Sequence, residues 1–291
     1  MNTLKARCAA KINLYLDILH RRDDGYHEIE TVFQSVSLWD SVTVAPAGEG
    51  IDLRGDDPGI PWNDENLCHR AARALFDRVG YGGGVRIEVQ KRIPAGAGLG
   101  GGSSDAAATL VCCNRLFGFG LPPGELADLA AGLGSDVPFF IYGSPAVGRG
   151  RGEVLEGIGG VSGGCVLIVK PDISVSTKWA YESVNLRLTR VRSGDKLNYL
   201  IEGLQLFPER ALDTFNVFEE CVVERFPEIG EILGILRGTE ANVSSLSGSG
   251  SACFALFSEE SRAKEVRGLF VKKGYFTKIA RPVNRAIELI I

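Results

Sequence analysis

The sequence predicts an α+β protein built of two domains. Segments with strand-like and helix-like patterns are mixed along the 291 residues, without the regular alternation that a doubly wound parallel sheet requires. A chain of this length ordinarily forms one or two domains. Five of the eight residues from 157 to 164 are glycine, which favours a domain boundary there. We therefore predict an N-terminal domain over residues 1–157 and a C-terminal domain over residues 158–291. Whether the last strand packs with the second domain or returns to the first is left open.

The elements of the N-terminal half follow from hydrophobic periodicity. Apolar and mixed residues alternate over residues 12–18, as in a half-buried strand. Over residues 67–79 apolar side chains recur at every fourth position, as on one face of a helix. Residues 103–105, Ser-Ser-Asp, favour the start of another helix. The predicted elements are strands at 12–18, within 28–44 and at 85–90, and helices at 66–79, 106–117 and 125–133.

The C-terminal half is interpreted in the same way. Residues 166–169 form a short continuous apolar run, which is typical of a buried strand. Residues 243–257 contain two short strands around a second glycine turn at 248–250. The other predicted elements are helices at 216–226, 228–236 and 259–273, and a last strand at 276–280.

Composition and charge exclude several classes of protein. The 45% of hydrophobic and 23% of charged residues are those of a folded protein rather than a disordered chain. A formal net charge of −4 gives no global reason to bind nucleic acid or an anionic membrane. No stretch approaches the roughly 20 apolar residues of a membrane span. The seven cysteines are scattered without a CxxC pair, which predicts reduced, mostly buried thiols in a cytoplasmic protein. From the charge and the lack of an apolar span we expect neither nucleic-acid nor membrane partners.

The segment from Pro94 to Asp105 is the most informative part of the sequence. Five of the seven residues from 96 to 102 are glycine, so backbone N–H groups are exposed without side chains in the way. A predicted strand precedes this turn and a predicted helix follows it. Amides at the start of a helix, together with the positive end of the helix dipole, form an anion site. The segment therefore predicts phosphate binding.

Three familiar glycine motifs do not explain this segment. A dinucleotide fingerprint requires an acidic residue about twenty positions further on, where this chain has residues 118–123, Gly-Phe-Gly-Leu-Pro-Pro. A Walker loop requires a lysine before its final serine or threonine, and Gly102-Ser103-Ser104 has none. The VAIK and HRD segments of protein kinases are missing as well. A less common nucleotide-binding loop is left.

The segment from Pro94 to Asp105 resembles the second motif of the GHMP small-molecule kinases, which include galactokinase, homoserine kinase and mevalonate kinase. Residues 10–14, Ala-Lys-Ile-Asn-Leu, resemble the first motif of that family, and residues 246–254 resemble the third. Three further segments are similar to the branch of the family that phosphorylates a cytidine-linked alcohol. They are residues 22–27 with Asp-Gly-Tyr-His, residues 65–67 with Glu-Asn-Leu, and residues 134–140 with Gly-Ser-Asp-Val-Pro-Phe-Phe.

The resemblance implies a two-domain GHMP-kinase-like fold with the active site in the cleft between the domains. The implied reaction is ATP-dependent phosphorylation of the 2-hydroxyl of a cytidine-diphosphate-linked methylerythritol, a step of the non-mevalonate route to isoprenoid precursors. ATP is then the co-substrate, and Mg²⁺ is expected from the chemistry of ATP, with ligands that the sequence does not assign. We expect this alcohol and ATP as the small-molecule partners of a monomer or homodimer.

Two residues are candidates for catalysis. Asp136 lies in a short turn after a predicted helix, where a carboxylate is able to accept a proton from an alcohol. The same position suits a structural turn or cap aspartate, and the resemblance favours the catalytic role. Lys11 lies at a strand start. A cation near Asp136 would keep that acid ionised and stabilise charge on the moving phosphoryl group. Asn13, on the same strand face as Lys11, matches a substrate-positioning asparagine.

Other site residues follow from the resemblance. Tyr26 matches a tyrosine that stacks on the cytosine, and His27 matches a histidine at the edge of the base. A second stacking residue aligns with Tyr181, for which Trp179 is an alternative. On the nucleotide side, Lys91 is expected to lie beside the adenine. The predicted ATP-binding residues are Asn66, Lys91, Pro94, Gly96, Gly98, Leu99, Gly100, Gly101, Gly102, Ser103 and Ser104. The predicted substrate-binding residues are Asn13, Tyr26, His27, Thr177, Tyr181, Gly248, Ser249 and Gly250.

Two other functions stay open from the sequence alone. One is a GHMP kinase for another small alcohol, such as homoserine or a mevalonate, which would have no use for residues 24–27. The other is a non-catalytic nucleotide- or RNA-binding module, which the acidic charge and the presence of both Lys11 and Asp136 disfavour. The remaining histidines, His20 and His69, are interpreted as structural residues.

Overall fold

Two β-sheets organise the fold of the computed structural model, which describes residues 3–161, 163–184, 195–209 and 212–290. The strands are β1 (Leu4–Arg21), β2 (His27–Ala47), β3 (Ile51–Gly55), β4 (Gly84–Gln90), β5 (Ala146–Arg149), β6 (Val154–Gly157), β7 (Cys165–Lys170), β8 (Phe215–Asn216), β9 (Val243–Leu246), β10 (Cys253–Phe257), β11 (Phe276–Ala280), β12 (Pro282–Val283) and β13 (Ile287–Ile290). The helices are α1 (Leu67–Val79), α2 (Gly101–Leu116), α3 (Pro123–Ala131), α4 (Val137–Tyr142), α5 (Thr177–Ser183), α6 (Asp195–Gln205), α7 (Glu219–Arg225), α8 (Pro227–Arg237) and α9 (Glu260–Val271).

The larger sheet has the main strand order β13-β1-β2-β4-β3. Strands β5 and β12 pair with β2, β6 pairs with β5, and β8 pairs with β1. The long antiparallel pair of β1 and β2 shifts register at three places, two of which are Ala9/Ala10 and Asn13/Tyr15. Such irregularities bend a strand and re-aim its side chains. They bracket Lys11 and Asn13, the residues of β1 that the sequence predicts for the active site.

The smaller sheet has the order β11-β7-β10-β9, with antiparallel neighbours throughout. Helices α8 and α9 pack on it. A buried cluster joins the two sheets, because Ile12 of β1 and Ile168 of β7 belong to it together with Ala97 and Leu99 of the glycine-rich turn. The turn is therefore anchored by its own apolar side chains between the sheets, and this places the predicted phosphate site at their junction.

Several predicted elements differ from the structure. The strand at 276–280 is not the last one, since β12 and β13 follow and pair with β2 and β1. The helix predicted at 216–226 is wrong at its start, where Asn216 belongs to β8 and the helix begins at Glu219. The turn around Asp136 continues directly into α4, which periodicity could not reveal in six residues. The domain boundary after residue 157 stays a prediction.

Two expectations from composition can be compared with the structure. All seven cysteines are free thiols and six of them are buried, which confirms the expectation of reduced and mostly buried thiols. Within the described ranges, no helix combines the length and the apolar character that a bilayer crossing needs.

Candidate active site

A cleft of about 850 Å³ lies at the junction of the two sheets and collects most of the predicted site residues. The residues from the predicted set that line it are Lys11, Asn13, Tyr26, His27, Gly98, Ser103, Asp136, Thr177, Tyr181, Gly248 and Ser249. They come from β1, the turn at Tyr26, the start of β2, the glycine-rich turn, the first residues of α2, the start of α4, α5 and the turn between β9 and β10. Another cavity, of about 900 Å³ beside α7, contains none of the predicted residues.

Lys11 and Asp136 meet in this cleft. The Lys11 Nζ lies 3.3 Å from Asp136 Oδ2 and donates a hydrogen bond to Asn13 Oδ1 at 2.7 Å. The Lys11 side chain is only 5% exposed, whereas that of Asp136 is 33% exposed. An ammonium group has three N–H donors, so these two contacts leave one for a ligand. A shielded cation beside an accessible carboxylate is an arrangement suited to proton transfer from a bound alcohol.

A chain of hydrogen bonds holds the Lys11 ammonium in place. The Asn13 Nδ2 donates to Thr31 Oγ1 at 2.8 Å, and the Thr31 hydroxyl donates to the Tyr15 carbonyl at 2.6 Å. This leaves the Asn13 Oδ1 directed at Lys11. The backbone N–H of Lys11 donates to the Leu99 carbonyl at 2.9 Å, which ties β1 to the glycine-rich turn. The catalytic candidates and the turn therefore form one rigid unit.

Glycine is required at two positions of the turn. Gly98 and Gly100 have φ angles of 74° and 71°, a region that side chains disfavour. A Cβ at Gly98 would lie 2.0 Å from the Ser247 carbonyl oxygen, and a Cβ at Gly100 would lie 2.9 Å from Lys11 Cγ. Because Ala97 and Leu99, on either side of Gly98, are both buried, the turn is fixed rather than flexible.

The turn presents the start of α2 without a side-chain cap. Gly100 is the capping residue, and no side chain in the described part of the chain accepts a hydrogen bond from the first turn of the helix. Gly102 is exposed, and a Cβ placed there would meet only Leu67 Cδ1, at 3.9 Å. Uncapped N–H groups beside open space at a helix N-terminus favour an anion. Ser103, which lines the cleft, adds a hydroxyl at the same place.

Three of the predicted ATP-binding residues have side chains that are already hydrogen-bonded within the protein, and their contact with ATP stays a prediction. The Lys91 ammonium is buried and bonded to Asp40 and Asp105. The Ser104 hydroxyl donates to the Ala9 carbonyl at 2.7 Å, so its proton is not available to a phosphate. Asn66 caps α1: its Oδ1 accepts from the Cys68 N–H, and its Nδ2 donates to the Pro61 carbonyl, both at 2.9 Å. None of the three is among the residues that line the cleft.

The Lys91 cluster links the two ends of the glycine-rich segment. Asp40 of β2 also accepts N–H bonds from Arg92 and Ile93. Burial opposes the charge on Lys91, but the two carboxylates outweigh this effect and raise its pKa. Burial raises the pKa of Asp105 while Lys91 opposes the rise. The ammonium therefore bridges β2 and α2, on either side of the turn.

Aromatic side chains form the far end of the cleft. The rings of His27 and Tyr181 stack at 5.1 Å between centroids and 23° between planes. Tyr26 is 56% exposed, and the Arg151 guanidinium lies 4.9 Å from the centre of its ring. Trp179 instead packs edge-on against Phe226 and does not line the cleft, so the geometry favours Tyr181 as the second stacking residue.

Burial and the charge of Arg21 lower the pKa of His27. The neutral imidazole is then favoured, and it offers one donor and one acceptor. Burial, and next the charge of Asp136, raise the pKa of Tyr181, so its phenol stays protonated. The aromatic end of the cleft therefore combines flat apolar faces with neutral polar edges, as a nucleobase requires.

Sequence reasoning missed Asn216. This buried side chain donates from Nδ2 to the carbonyls of Leu246 and Gly248, both at 2.8 Å, and its Oδ1 accepts from the Phe218 N–H at 2.9 Å. A Cβ at Gly248 would lie only 3.4 Å from Lys11 Nζ, so this amide positions the turn that backs the lysine. Asparagine is a common N-cap residue, so Asn216 at the start of a predicted helix gave no signal of its contacts with the turn at Gly248.

We expect Asn216→Ala to lower the free energy of unfolding by roughly 1–3 kcal/mol, because buried partners on Leu246, Gly248 and Phe218 lose their hydrogen bonds. Urea denaturation measures this loss. Asn242→Ala is the matched control, since the Asn242 Oδ1 accepts hydrogen bonds from the N–H and the hydroxyl of the exposed Ser258. This variant should lose less free energy of unfolding. Equal losses in the two variants would show that the Asn216 contacts carry no special weight.

Comparison with known proteins identifies the family. A sequence model described as "GHMP kinases N terminal domain" matches residues 66–144, and one described as "GHMP kinases C terminal" matches residues 200–274. Together they cover more than half of the chain. This chain belongs to the GHMP kinase family. The family resemblance and the α+β fold predicted from the sequence are thereby confirmed, and GHMP kinases use ATP as the phosphoryl donor.

Individual relatives are more specific. A protein of Syntrophotalea carbinolica named 4-diphosphocytidyl-2-C-methyl-D-erythritol kinase is 41% identical over 279 residues, which cover 94% of this chain and 97% of the relative. A crystal structure of 4-(cytidine 5'-diphospho)-2C-methyl-D-erythritol kinase matches with a TM-score of 0.79 and 33% identity, over 95% of this chain and 99% of the other. Homoserine kinase from Cytophaga hutchinsonii matches with a TM-score of 0.78 over 100% and 98% of the chains, but at 18% identity it supports the fold alone.

Proposed function

We propose that this GHMP kinase transfers the γ-phosphoryl group of ATP to the 2-hydroxyl of 4-diphosphocytidyl-2-C-methyl-D-erythritol. The observation that carries the proposal is the meeting of Lys11 and Asp136, at 3.3 Å, in the same cleft as Tyr26 and the stacked His27–Tyr181 pair. The first pair suits phosphoryl transfer to an alcohol, and the aromatic group suits a nucleobase on that alcohol. The names of the relatives support the same substrate.

The donor nucleotide binds through the glycine-rich turn. The N–H groups at the uncapped start of α2 hold phosphate oxygens, and the helix dipole adds to their attraction. The burial of Ala97 and Leu99 keeps these donors in position before ATP arrives. Preorganised donors need no rearrangement as charge develops during transfer, which is where their contribution to catalysis lies.

Magnesium fits this site as an ion that enters with ATP. The described residues contain no group of three or more His, Cys, Asp or Glu side chains that would make a dedicated metal site. Mg²⁺ at a nucleotide takes most of its ligands from phosphate and water, and needs one or two protein oxygens. The Ser103 hydroxyl is such an oxygen in the cleft. The ion would neutralise charge on the phosphates.

Asp136 accepts the proton of the attacking hydroxyl. Its Oδ2 faces Lys11 and a third of its side chain is accessible from the cleft. As the alcohol oxygen bonds to the γ-phosphorus, its proton passes to Asp136 and the bond to the β-phosphate oxygen breaks, releasing ADP. The remaining Lys11 N–H stabilises negative charge on the moving phosphoryl group. Asn13 keeps the ammonium directed at this point through its 2.7 Å hydrogen bond.

A coupled ADP-release assay tests the proposal. We expect ATP consumption with 4-diphosphocytidyl-2-C-methyl-D-erythritol and none with mevalonate or homoserine, and phosphorus NMR of the product locates the new phosphate on the 2-hydroxyl. Turnover of homoserine or mevalonate in place of the cytidine compound would replace this function with that of another GHMP kinase. No ADP release with any of these alcohols would favour a non-catalytic nucleotide-binding module. Action in the cytoplasm as a monomer or homodimer stays a prediction.

Tyr26→Ala should weaken binding of the cytidine substrate by roughly 1–3 kcal/mol, because base–aromatic stacking contributes about this much per base. The acceptor KM is the readout, and the KM for ATP should not change. Tyr142→Ala is the control, because Tyr142 is equally exposed (57%) but lies outside the cleft. A parallel rise in the KM for ATP would place the donor base, not the acceptor base, on Tyr26.

A further inference from the structure

The charged side chains of the cleft are unevenly paired. Lys11 faces Asp136, and Lys178 lies 4.0 Å from Glu182. Two more cations, Arg21 and Arg151, line the same cleft, and among the residues that the structure describes no other carboxylate does. At the aromatic end of the cleft, where both arginines lie, Glu153 offsets part of the Arg151 charge, with its Oε1 3.5 Å from the Arg151 Nε.

Arg151 is held so that one edge of its guanidinium is free. Its backbone N–H and its Nε both face the Glu153 carboxylate, at 2.6 and 3.5 Å. Its guanidinium carbon lies 4.9 Å from the centre of the Tyr26 ring. Within the described ranges, neither Nη group has a hydrogen-bond partner. A guanidinium that is stacked on a ring and tethered at Nε is pre-organised to offer its Nη donors as a fork.

Among the described side chains, Arg21 has a free guanidinium group, whereas that of its neighbour Arg22 is paired. Arg22 is taken up by Asp24 and Glu28, at 3.1 and 2.7 Å. The Arg21 guanidinium has no partner among the residues that the structure describes. It lies close enough to His27 for its charge to lower the pKa of that imidazole. The Arg21 guanidinium and the Nη edge of Arg151 thus flank the rings proposed to hold the base.

We propose that Arg151, assisted by Arg21, binds the diphosphate of the acceptor substrate. This inference rests on the proposed function. The cleft offers anions two separate sets of donors: the amides of the glycine-rich turn and these guanidinium groups beside Tyr26 and His27. One nucleoside triphosphate accounts for the first set. A base that stacks at Tyr26 carries its 5'-phosphates on the attached ribose, and an arginine fork matches phosphate oxygens in geometry and charge. The cleft therefore selects an acceptor that is itself a nucleoside diphosphate conjugate.

Binding of CDP and of cytidine, each measured by titration calorimetry, tests this inference. Arg151→Gln should weaken CDP binding about 10- to 100-fold, the worth of hydrogen bonds to a charged group, and change cytidine binding less than about threefold. Arg151→Lys should retain part of the preference for CDP, because it keeps the charge and loses the fork. Arg149→Gln is the matched control, since Arg149 lies two residues away, pairs with Glu30 and Glu156, and does not line the cleft.

Two results would overturn the inference. One is a ratio of CDP to cytidine affinity that is unchanged in Arg151→Gln. The other is a rise in the KM for ATP instead of the acceptor KM, which would assign Arg151 to the donor phosphates. Failure of the proposed function looks different: the unmodified protein would then bind neither CDP nor cytidine and would leave the cytidine-linked alcohol unphosphorylated.

Discussion

Asp136→Asn is expected to lower kcat by about 10² to 10⁴-fold, the range that general acid–base catalysis contributes. The amide keeps the size of the side chain and cannot accept the proton of the attacking alcohol. The KM for ATP should change little, because the donor phosphates are held by the glycine-rich turn and not by this side chain. Steady-state kinetics with the cytidine substrate measure the effect.

Asp128→Asn is the control for this prediction. It makes the same change on the exposed face of α3, a few residues earlier in the chain, and should leave turnover unaltered. Single-turnover measurements separate the chemical step from product release. If Asp136→Asn retains the full single-turnover rate, the carboxylate only orients the hydroxyl and is not its base.

Lys91→Met should give the largest loss of stability among the predicted variants. The ammonium is the shared partner of Asp40 and Asp105, which are 1% and 3% exposed. Removing one partner of a buried ion pair costs about 3–5 kcal/mol, because the charge left behind is neither solvated nor paired. Urea denaturation at pH 7 should show this loss in the free energy of unfolding.

The pH dependence of the free energy of unfolding of Lys91→Met shows whether the loss of stability comes from the unpaired carboxylates. Without the ammonium, burial and the charge of Asp40 raise the pKa of Asp105 further above its unfolded value. The folded variant then binds more protons than the unfolded chain, so its stability rises as the pH falls from 7 towards 5. The deficit relative to the unmodified protein should therefore narrow on acidification. A constant deficit would attribute the loss to packing, and Asp105→Asn added to Lys91→Met should restore part of the stability.

The sequence could predict that Lys11, Asp136 and the glycine-rich turn lie in one cleft, because each lies in a short segment whose residues resemble a family motif. The strands and helices with clear periodicity, such as α1 and β4, were predictable for the same local reason. Lys91 shows the limit of this reasoning. Its burial depends on Asp40, which lies 51 positions earlier, and no local pattern distinguishes a lysine that faces a nucleotide from one that bridges two carboxylates.

The role of Asn216 and the last two strands could not be predicted, because they depend on partners far away in the sequence. Asn216 serves carbonyls 30 and 32 positions further along the chain. Strand β13 has apolar residues that suit a strand, but only its pairing with β1, across nearly the whole chain, decides that it forms one. The side chain of Arg151 belongs with these cases, since nothing in residues 149–153 indicates that it reaches Tyr26.

The position of β13 beside β1 sets a condition on biosynthesis. The strand that carries Lys11 is flanked by β2 on one edge and by residues 287–290 on the other, with Lys5 opposite Ile290 and Cys8 opposite Ile287. Translation delivers the amino-terminal segments first, so a nascent chain holds the lysine strand with one open edge until those late residues emerge from the ribosome. The segment from Lys5 to Cys8 therefore gains its second neighbouring strand only after the other described strands of the larger sheet have been made.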